Sequence, residues 1–261
     1  MTCRREMTTC ADVQGEMTTC AGTCADVQGG TQETISEMEI LIPYKSKVIS
    51  AMINCSSLKR TDLLKKNWIV LTHGAGGDLK MPQLSAVASV FSDQGFAILR
   101  FTCKGLNIKY RINVFASVLM YLNEQYNPNG IFIGGRSMGA RAAVMLISDT
   151  DNLLNSSVFK KILGIICLSF PLHKTGNTDY LRDEQLKKLK LPTFFLSGTK
   201  DEMCEKKIFE KVLLDIKSPY KVHWLDGCNH SAKPINDYEE EMYRTAFNEL
   251  FNWCLIISKS V

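Results

Sequence analysis

Apolar runs of strand length alternate with amphipathic segments of helix length along most of this chain. The runs have the continuous apolar character of strands buried on both faces, and they cover residues 68–71, 97–101, 131–134, 162–170, 193–197 and 221–225. The other segments repeat apolar residues at helical spacing, and they cover residues 81–94, 111–126, 138–148, 183–189, 205–216 and 238–257. This alternation predicts a mostly parallel sheet with helices on both faces.

Two further strands are predicted at the start of the folded region, over residues 38–42 and 47–55, and they bring the predicted sheet to eight strands. The connection between the sixth and seventh predicted strands, residues 171–191, is short. It leaves little room for a large lid, so we expect little or no lid and an open, shallow pocket.

Residues 1–35 have a different character from the rest of the chain. The segment MTTCADVQG, from Met7 to Gly15, recurs from Met17 as MTTCAGTCADVQG. It has neither helix nor strand periodicity and few large apolar side chains, so it cannot bury enough surface to offset its ordering entropy. We therefore predict a disordered, low-complexity tail over residues 1–35 and a single domain over residues 36–261.

The amino-acid composition narrows the classes of function that we expect for this chain. The net charge of +4 is mild and spread over helix faces, so no basic stripe for nucleic acid is visible. No apolar run approaches the ~20 residues of a membrane helix, and the polar start lacks the apolar core of a signal peptide. The ten cysteines include no Cys-x-x-Cys pair, which favours free thiols in a reducing compartment over a zinc or dithiol site. We expect a cytoplasmic or nucleocytoplasmic protein that binds neither nucleic acid nor membrane.

The chemistry of the chain centres on the segment GGRSMGA, which contains Gly135-x-Ser137-x-Gly139. A strand-like run enters this segment, and a helix-like run of small residues leaves it. A nucleophile elbow needs this context, because the serine must project from a sharp turn and the glycines let the strand and helix backbones approach closely. Ser137 is therefore the candidate nucleophile. The alternative is a glycine-rich turn with a structural serine.

A general base and an acid are expected later in the chain, in the order serine, acid, histidine. His230 lies in a polar turn after the last predicted strand, where a base at the carboxyl edge of the sheet belongs. Asp201 ends a buried-type strand that runs into a glycine turn, and there it would orient the imidazole of His230. Glu202 and Asp226 are the rival acids, and Asp201 is alternatively the N-cap of the helix that follows it.

The two other histidines after the serine are weaker candidates for the base. His223 lies inside a strand pattern, which is typical of a packed or surface strand residue. His173 follows another apolar strand. We expect it to line the site together with Arg136, the neighbour of the nucleophile.

An oxyanion hole is predicted from the segment THGAGGD, which follows an early apolar strand. Its glycines free backbone N–H groups to point at a developing negative charge. We assign the two donors to the N–H groups of Ala75 and Met138, with Gly74 and Gly76 lining the site beside them. His73 precedes the serine, so we interpret it as a structural residue of this site-lining turn and not as the base.

Several segments resemble the testis-expressed-protein-thirty-like group of α/β-hydrolase-like proteins, namely LTHGAGGD, LRFTCKGLN, GGRSMGARAA, LRDEQL, SGTKDEMCEK and the late Asn-His-Ser. This group is related to dienelactone-hydrolase-like proteins and to the hydrolase-like domain of a histone-acetyltransferase complex subunit. The resemblance covers roughly residues 36–258. It implies an α/β-hydrolase fold with hydrolase machinery, and it implies no particular substrate.

We therefore predict a serine hydrolase that acts on a small-molecule ester, thioester or similar acyl substrate through Ser137, His230 and Asp201, a chemistry that needs no metal or cofactor. The alternative is a catalytically idle α/β-hydrolase-like domain that serves as an interaction module for a protein partner. A transferase or lyase on the same scaffold is a third and weaker interpretation. The presence of all three residues, Ser137, His230 and Asp201, argues against a catalytically inactive domain.

Overall fold

The computed structural model describes residues 36–149, 153–232 and 239–260. The predicted tail, residues 1–35, lies outside the described residues. The strands of the described part are, in chain order, β1 Ser36–Tyr44, β2 Lys47–Cys55, β3 Asn67–Thr72, β4 Ala97–Phe101, β5 Gly130–Arg136, β6 Ile162–Leu168, β7 Thr193–Gly198 and β8 Tyr220–Leu225.

The eight strands form one open sheet in the order β1-β2-β4-β3-β5-β6-β7-β8. β1 pairs with β2, and β2 with β4, in antiparallel fashion. All other neighbours, from β4–β3 to β7–β8, are parallel. The predicted eight-stranded, mostly parallel sheet is therefore confirmed.

Helices cover both faces of this sheet. They are α1 Arg60–Leu63, α2 Pro82–Ser92, α3 Ile108–Tyr126, α4 Met138–Ser148, α5 Ser156–Phe159, α6 Glu184–Lys187, α7 Lys206–Leu213 and α8 Glu239–Lys259. One apolar core forms where α3, α4 and α7 pack on the sheet, and a second forms on the opposite face under α2 and α8. In the described part of the chain, no helix combines the length and the apolar content that crossing a bilayer requires.

The observed helices differ from the predicted ones mainly at their ends. α3 begins three residues before the predicted start because Asn107 caps it, its side chain accepting a hydrogen bond from the N–H of Tyr110 at 3.0 Å. The helix ends at Tyr126, and the C-cap residue Asn127 takes the left-handed conformation at φ 45°. The one-turn helices α1 and α5 are absent from the prediction, since four residues are too few to show a helical period.

The junction of β5 and α4 packs tightly against the end of β3. A Cβ atom at Gly135 or at Gly139 would overlap the carbonyl oxygen of Thr72. Only glycine at both positions lets the two backbones come this close. The contact fixes the turn between the two glycines, and with it the direction in which Ser137 projects.

The connection from β6 to β7, residues 169–192, carries a single helical turn, α6. It is too short to fold into a large lid over the sheet edge. The predicted absence of a large lid in this connection agrees with the structure.

Gly139→Ala is expected to lower the free energy of unfolding by about 2 kcal/mol. The added methyl group forces α4 away from the Thr72 carbonyl, and this strain outweighs the ~1 kcal/mol that alanine gains over glycine in a helix. Urea unfolding followed by circular dichroism measures the change. Gly76→Ala is the control, because a Cβ at Gly76 meets no atom within 4 Å. Equal stability of the two variants would contradict the packing argument.

Candidate active site

The carboxyl ends of the parallel strands collect the candidate residues at one edge of the sheet. Ser137 directly follows β5, Asp201 lies three residues after β7, and His230 lies in the loop after β8. The glycine-containing loop that begins with His73 follows β3, the neighbour of β5. Parallel strands all end at the same edge, which is where open α/β sheets place their functional groups.

Ser137 has the strained backbone of a sharp strand-to-helix turn. Its φ of 52° and ψ of −112° are values that a residue with a side chain rarely adopts. Its N–H donates to the carbonyl of Leu168 at the end of β6, at 2.9 Å. Packing of the elbow against β3 and this bond to β6 together hold the strained conformation in place.

The three residues predicted to act together are in direct contact. Nδ1 of His230 lies 2.9 Å from each carboxylate oxygen of Asp201, which places the ring proton on Nδ1. Nε2 is then the acceptor, and the hydroxyl of Ser137 donates to it at 2.9 Å. Asp201 is 2% exposed, and Ser137 and His230 are 8% exposed each. Burial shields both hydrogen bonds from competing water.

Asp201 contacts the imidazole and also stabilises the turn before α7. The N-cap of α7 itself is Glu205, so the alternative interpretation of Asp201 as the helix N-cap is wrong. One carboxylate oxygen accepts a hydrogen bond from the N–H of Met203 at 2.8 Å, and its carbonyl accepts one from the N–H of Cys204 at 3.1 Å. The residue therefore caps the turn that precedes α7 while its carboxylate contacts the imidazole. The capping bonds hold the carboxylate in the orientation that the imidazole contact needs.

The rival acids and the strand histidine have other partners. The Asp226 carboxylate accepts from the hydroxyl of Thr199 at 3.1 Å. The Glu202 carboxylate accepts from the backbone N–H of His230, and not from its ring, at 3.0 Å. His223 bonds through Nδ1 to the Glu249 carboxylate of α8.

The backbone of His230 is held from both sides. Its N–H donates to Glu202, and its carbonyl accepts from a guanidinium N–H of Arg136 at 2.8 Å. Burial acts to raise the pKa of Glu202. The hydrogen bonds that its carboxylate accepts from its own N–H and from the N–H of His230 act in the opposite direction, as do the charges of His230 and Arg136. The net result is a pKa below the usual value for a glutamate. Burial lowers the pKa of Arg136, against the opposing charges of Asp201 and Glu202. Arg136 thus links the elbow to the loop that carries His230.

Arg111, on α3, holds the loop that follows β3. Its guanidinium is buried and donates to the carbonyls of His73 and Gly74 at 2.8 Å each, while Nε donates to the carbonyl of Gly105 at 2.6 Å. In a trans peptide the N–H points opposite to the C=O. Fixing these two carbonyls towards Arg111 therefore turns the N–H groups of Gly74 and Ala75 away from it.

The same loop lies against the nucleophile candidate. A Cβ built on Gly74 would lie 3.4 Å from the Cβ of Ser137 and 3.1 Å from a guanidinium nitrogen of Arg136. Met138 is the first residue of α4, so its N–H has no acceptor within the helix. The predicted donors, the N–H groups of Ala75 and Met138, thus belong to two backbone segments that meet at Ser137.

His73 is a buried structural residue of this loop. Its Nε2 accepts a hydrogen bond from the N–H of Cys103 at 2.9 Å, so the proton is on Nδ1, which donates to the carbonyl of Gly76 at 3.3 Å. Burial, with the neighbouring charge of Arg111, lowers the pKa of His73. The ring is therefore neutral at physiological pH, and it fixes the loop by hydrogen bonding.

His173 corrects one expectation about the site lining. Its side chain has no exposed surface, so it presents nothing to a bound molecule. Nδ1 lies 3.0 Å from the carbonyl of Lys174, and Nε2 accepts from the N–H of Glu205 at 3.2 Å. The histidine contacts the start of α7 instead, because the segment that follows β6, residues 169–173, is buried throughout.

Sequence reasoning overlooked Arg111. Its signal is visible in α3, where it stands in the same helical stripe as the buried apolar residues Val114, Phe115 and Val118. A charged residue on the core face of a helix needs buried acceptors. The sequence does not reveal which acceptors these are, because they lie 37 and 38 positions earlier in the chain.

This arrangement has a defined chemical capability. A hydroxyl that donates to an imidazole can lose its proton to the ring as it attacks an electrophile, and a buried carboxylate on the other ring nitrogen stabilises the resulting imidazolium. Backbone N–H groups beside the hydroxyl can accept a developing negative charge.

Known proteins share this architecture. Residues 65–250, more than half of the chain, match the family described as alpha/beta hydrolase domain. The chain is also similar to the solved structure of Est1E from Butyrivibrio proteoclasticus, with 15% identity, a TM-score of 0.66, and coverage of 84% of this chain and 99% of that one.

Two further solved structures give the same result. Dienelactone hydrolase from Anabaena variabilis has 12% identity and a TM-score of 0.64, over 85% of this chain and 97% of that one. A serine hydrolase without lid from Xanthomonas campestris has 11% identity and a TM-score of 0.60, over 87% and 98%. These structures confirm the α/β-hydrolase fold expected from the sequence, and the match over residues 65–250 confirms the wider α/β-hydrolase family. Membership of the testis-expressed-protein-thirty-like group stays a prediction.

Replacing Arg111 by methionine is expected to lower the free energy of unfolding by at least about 2 kcal/mol, because the two buried carbonyls of His73 and Gly74 lose their donor. Chemical denaturation measures the change. Arg60→Met is the matched control, since Arg60 is exposed and its side chain makes one hydrogen bond within the described part of the chain, to the carbonyl of Gln125. If the Arg111 variant is as stable as the Arg60 variant, the guanidinium is not what holds the loop.

Proposed function

The chain belongs to the alpha/beta hydrolase domain family, and we propose that it is a serine hydrolase that cleaves an ester, thioester or similar acyl substrate. The observation that carries the proposal is the continuous line of hydrogen bonds from the Ser137 hydroxyl through the His230 ring to the Asp201 carboxylate. Similar folds named as dienelactone hydrolase and as serine hydrolase support the class of reaction.

In the proposed first step, the Ser137 oxygen attacks the acyl carbon of the substrate. The hydroxyl proton passes to Nε2 of His230, and the ring becomes an imidazolium. Asp201 keeps its negative charge and stabilises this cation through the two contacts of 2.9 Å. Because the carboxylate is buried, the attraction is screened little by solvent.

The attack converts the acyl oxygen into an oxyanion. We assign its stabilisation to the N–H groups of Met138 and Ala75. The Met138 group lies at the start of α4, where the helix dipole adds partial positive charge. The Ala75 group is directed by the peptide plane that Arg111 holds through the Gly74 carbonyl. Donors fixed before the reaction need no reorganisation when the charge forms.

Collapse of the tetrahedral intermediate completes the acylation. The bond from the acyl carbon to the leaving group breaks, and Nε2 of His230 gives its proton to the departing oxygen or sulfur. Water then attacks the acyl-serine with His230 again as the base, and the acid product and free Ser137 are regenerated. The set of groups is the same in both halves of the reaction.

A fluorophosphonate probe tests this proposal, because it reacts with a serine oxygen only when a neighbouring base activates it. We expect the purified protein to be labelled, with displacement of fluoride, and the Ser137→Ala variant to remain unlabelled. Hydrolysis of p-nitrophenyl acetate should fall by at least ~10³-fold in that variant.

Ser169→Ala is the matched control. Ser169 is also buried, also follows a parallel strand and also has a positive φ, of 50°, but no imidazole contacts it among the described residues. The probe should label the Ser169→Ala protein as fast as it labels the unmodified protein. An unlabelled wild-type protein, or a Ser137→Ala variant labelled at the wild-type rate, contradicts the proposal and favours an idle interaction module.

A further inference from the structure

The two side chains that hold the backbone of His230 come from the chain neighbours of the other two candidate residues. Arg136 directly precedes Ser137. Glu202 directly follows Asp201. The guanidinium of Arg136 donates to the His230 carbonyl at 2.8 Å, and the Glu202 carboxylate accepts from the His230 N–H at 3.0 Å. The elbow and the acid turn therefore each reach the histidine twice, once at its ring and once at its backbone.

The two backbone bonds restrain both peptide planes that flank His230. Its N–H belongs to the plane shared with Asn229, and its carbonyl belongs to the plane shared with Ser231. With both planes held, the direction of the Cα–Cβ bond is set, and rotation about the two side-chain bonds is the freedom that remains. The distance from Nε2 to the Ser137 oxygen, 2.9 Å, therefore depends on the backbone bonds as well as on the ring contacts.

Other bonds anchor this loop at residues beside the histidine. The N–H of Lys200 donates to the carbonyl of Cys228 at 2.9 Å. The side-chain amide of Gln83 donates to the carbonyl of Ser231 at 2.7 Å. These bonds locate the loop on either side of the base, whereas Arg136 and Glu202 act on His230 itself.

The opposite charges of Arg136 and Glu202 suit them to this position. A hydrogen bond with one charged partner is about twice as strong as one between neutral groups. A single charge beside the imidazole would bias its protonation, because a cation disfavours the imidazolium and an anion favours it. An arginine and a glutamate together supply two strong bonds and add no net charge beside the ring.

We propose that Arg136 and Glu202 are positioning residues that act as a pair, the backbone clamp, and keep His230 in register with both Ser137 and Asp201. The inference rests on the proposed hydrolase function. The clamp acts through the backbone of His230 and not through its ring. A displacement of about 1 Å at a reacting group can cost about a hundredfold in rate, so loss of either bond should slow attack by Ser137 measurably.

The acylation rate tests the clamp, measured as the stopped-flow burst of p-nitrophenol from p-nitrophenyl acetate. Arg136→Met and Glu202→Leu should each slow the burst at least about tenfold. The ester concentration that gives half of the maximal burst rate should stay within about twofold, because these variants displace the base and leave the ester in place. If Arg136→Met does not fold, the Glu202 variants carry the test, since Glu202 is exposed.

Conservative variants separate the clamp from a general loss of structure. Arg136→Lys keeps a charged donor and Glu202→Gln keeps an acceptor, so each should recover most of the lost burst rate. Arg60→Met is the matched control, because it removes an arginine that bonds a backbone carbonyl elsewhere in the fold, that of Gln125. Its burst rate should equal that of the unmodified protein. Equal burst rates in Glu202→Gln and Glu202→Leu would contradict the clamp.

Nitrogen NMR of protein labelled at its four histidine rings separates this inference from the proposed function. His230→Ala identifies the signals of His230. They should show a single tautomer in the unmodified protein, with the proton on Nδ1, and a mixture of tautomers in Arg136→Met and Glu202→Leu.

If the tautomers mix in the two variants but the unmodified protein gives no burst, the hydrolase proposal fails and the clamp stands. If the unmodified protein gives a burst and both variants keep the single tautomer and the full burst rate, the clamp fails and the hydrolase proposal stands.

Discussion

The close backbone contact between the end of β3 and the elbow after β5 is the constraint on which the rest of the site depends. Gly135 and Gly139 leave no side chain at this contact, so the carbonyl of Thr72 lies directly against the turn. Ser137, between the two glycines, is thereby held at a φ of 52°. The loop after Thr72 is brought beside the serine by the same contact. One packing arrangement thus positions both the candidate nucleophile and the candidate oxyanion donors.

Two buried charged side chains, Asp201 and Arg111, then orient the catalytic candidates that this backbone contact has brought together. The Asp201 carboxylate fixes the tautomer of His230, and the Arg111 guanidinium fixes the carbonyls of the loop after β3. A neutral His73 completes that loop by hydrogen bonding to the N–H of Cys103. Dipoles held in this way act on a reacting group without reorganising, which is the main source of stabilisation that such sites supply.

Local patterns in the sequence predict the larger part of this architecture. Apolar runs that alternate with helical segments locate six strands of the described sheet, and two further strands are predicted before them. The glycine spacing around Ser137 locates the elbow. Asp226 lies close to His230 along the chain, which makes it a weaker candidate for the acid than Asp201. The structure brings the Asp201 carboxylate to the imidazole and bonds Asp226 to Thr199.

Local patterns in the sequence do not predict contacts between side chains that are distant along the chain. Arg111 is visible as a charged residue on an apolar stripe, but its acceptors on the loop after β3 depend on how α3 packs. His173 has the expected place after a strand, yet the burial that removes it from the site surface depends on α7. These features follow from tertiary packing, which no periodicity records.

The central claim is that the carboxylate of Asp201 makes His230 a base for Ser137. Acyl-enzyme formation, measured as the stopped-flow burst of p-nitrophenol from p-nitrophenyl acetate, tests it most directly. Asp201→Asn should slow the burst by up to ~10⁴-fold, because an amide favours the wrong tautomer of the imidazole. Asp226→Asn should leave the burst rate within about twofold of the unmodified protein. A burst that is slowed by Asp226→Asn and unaffected by Asp201→Asn would contradict the account.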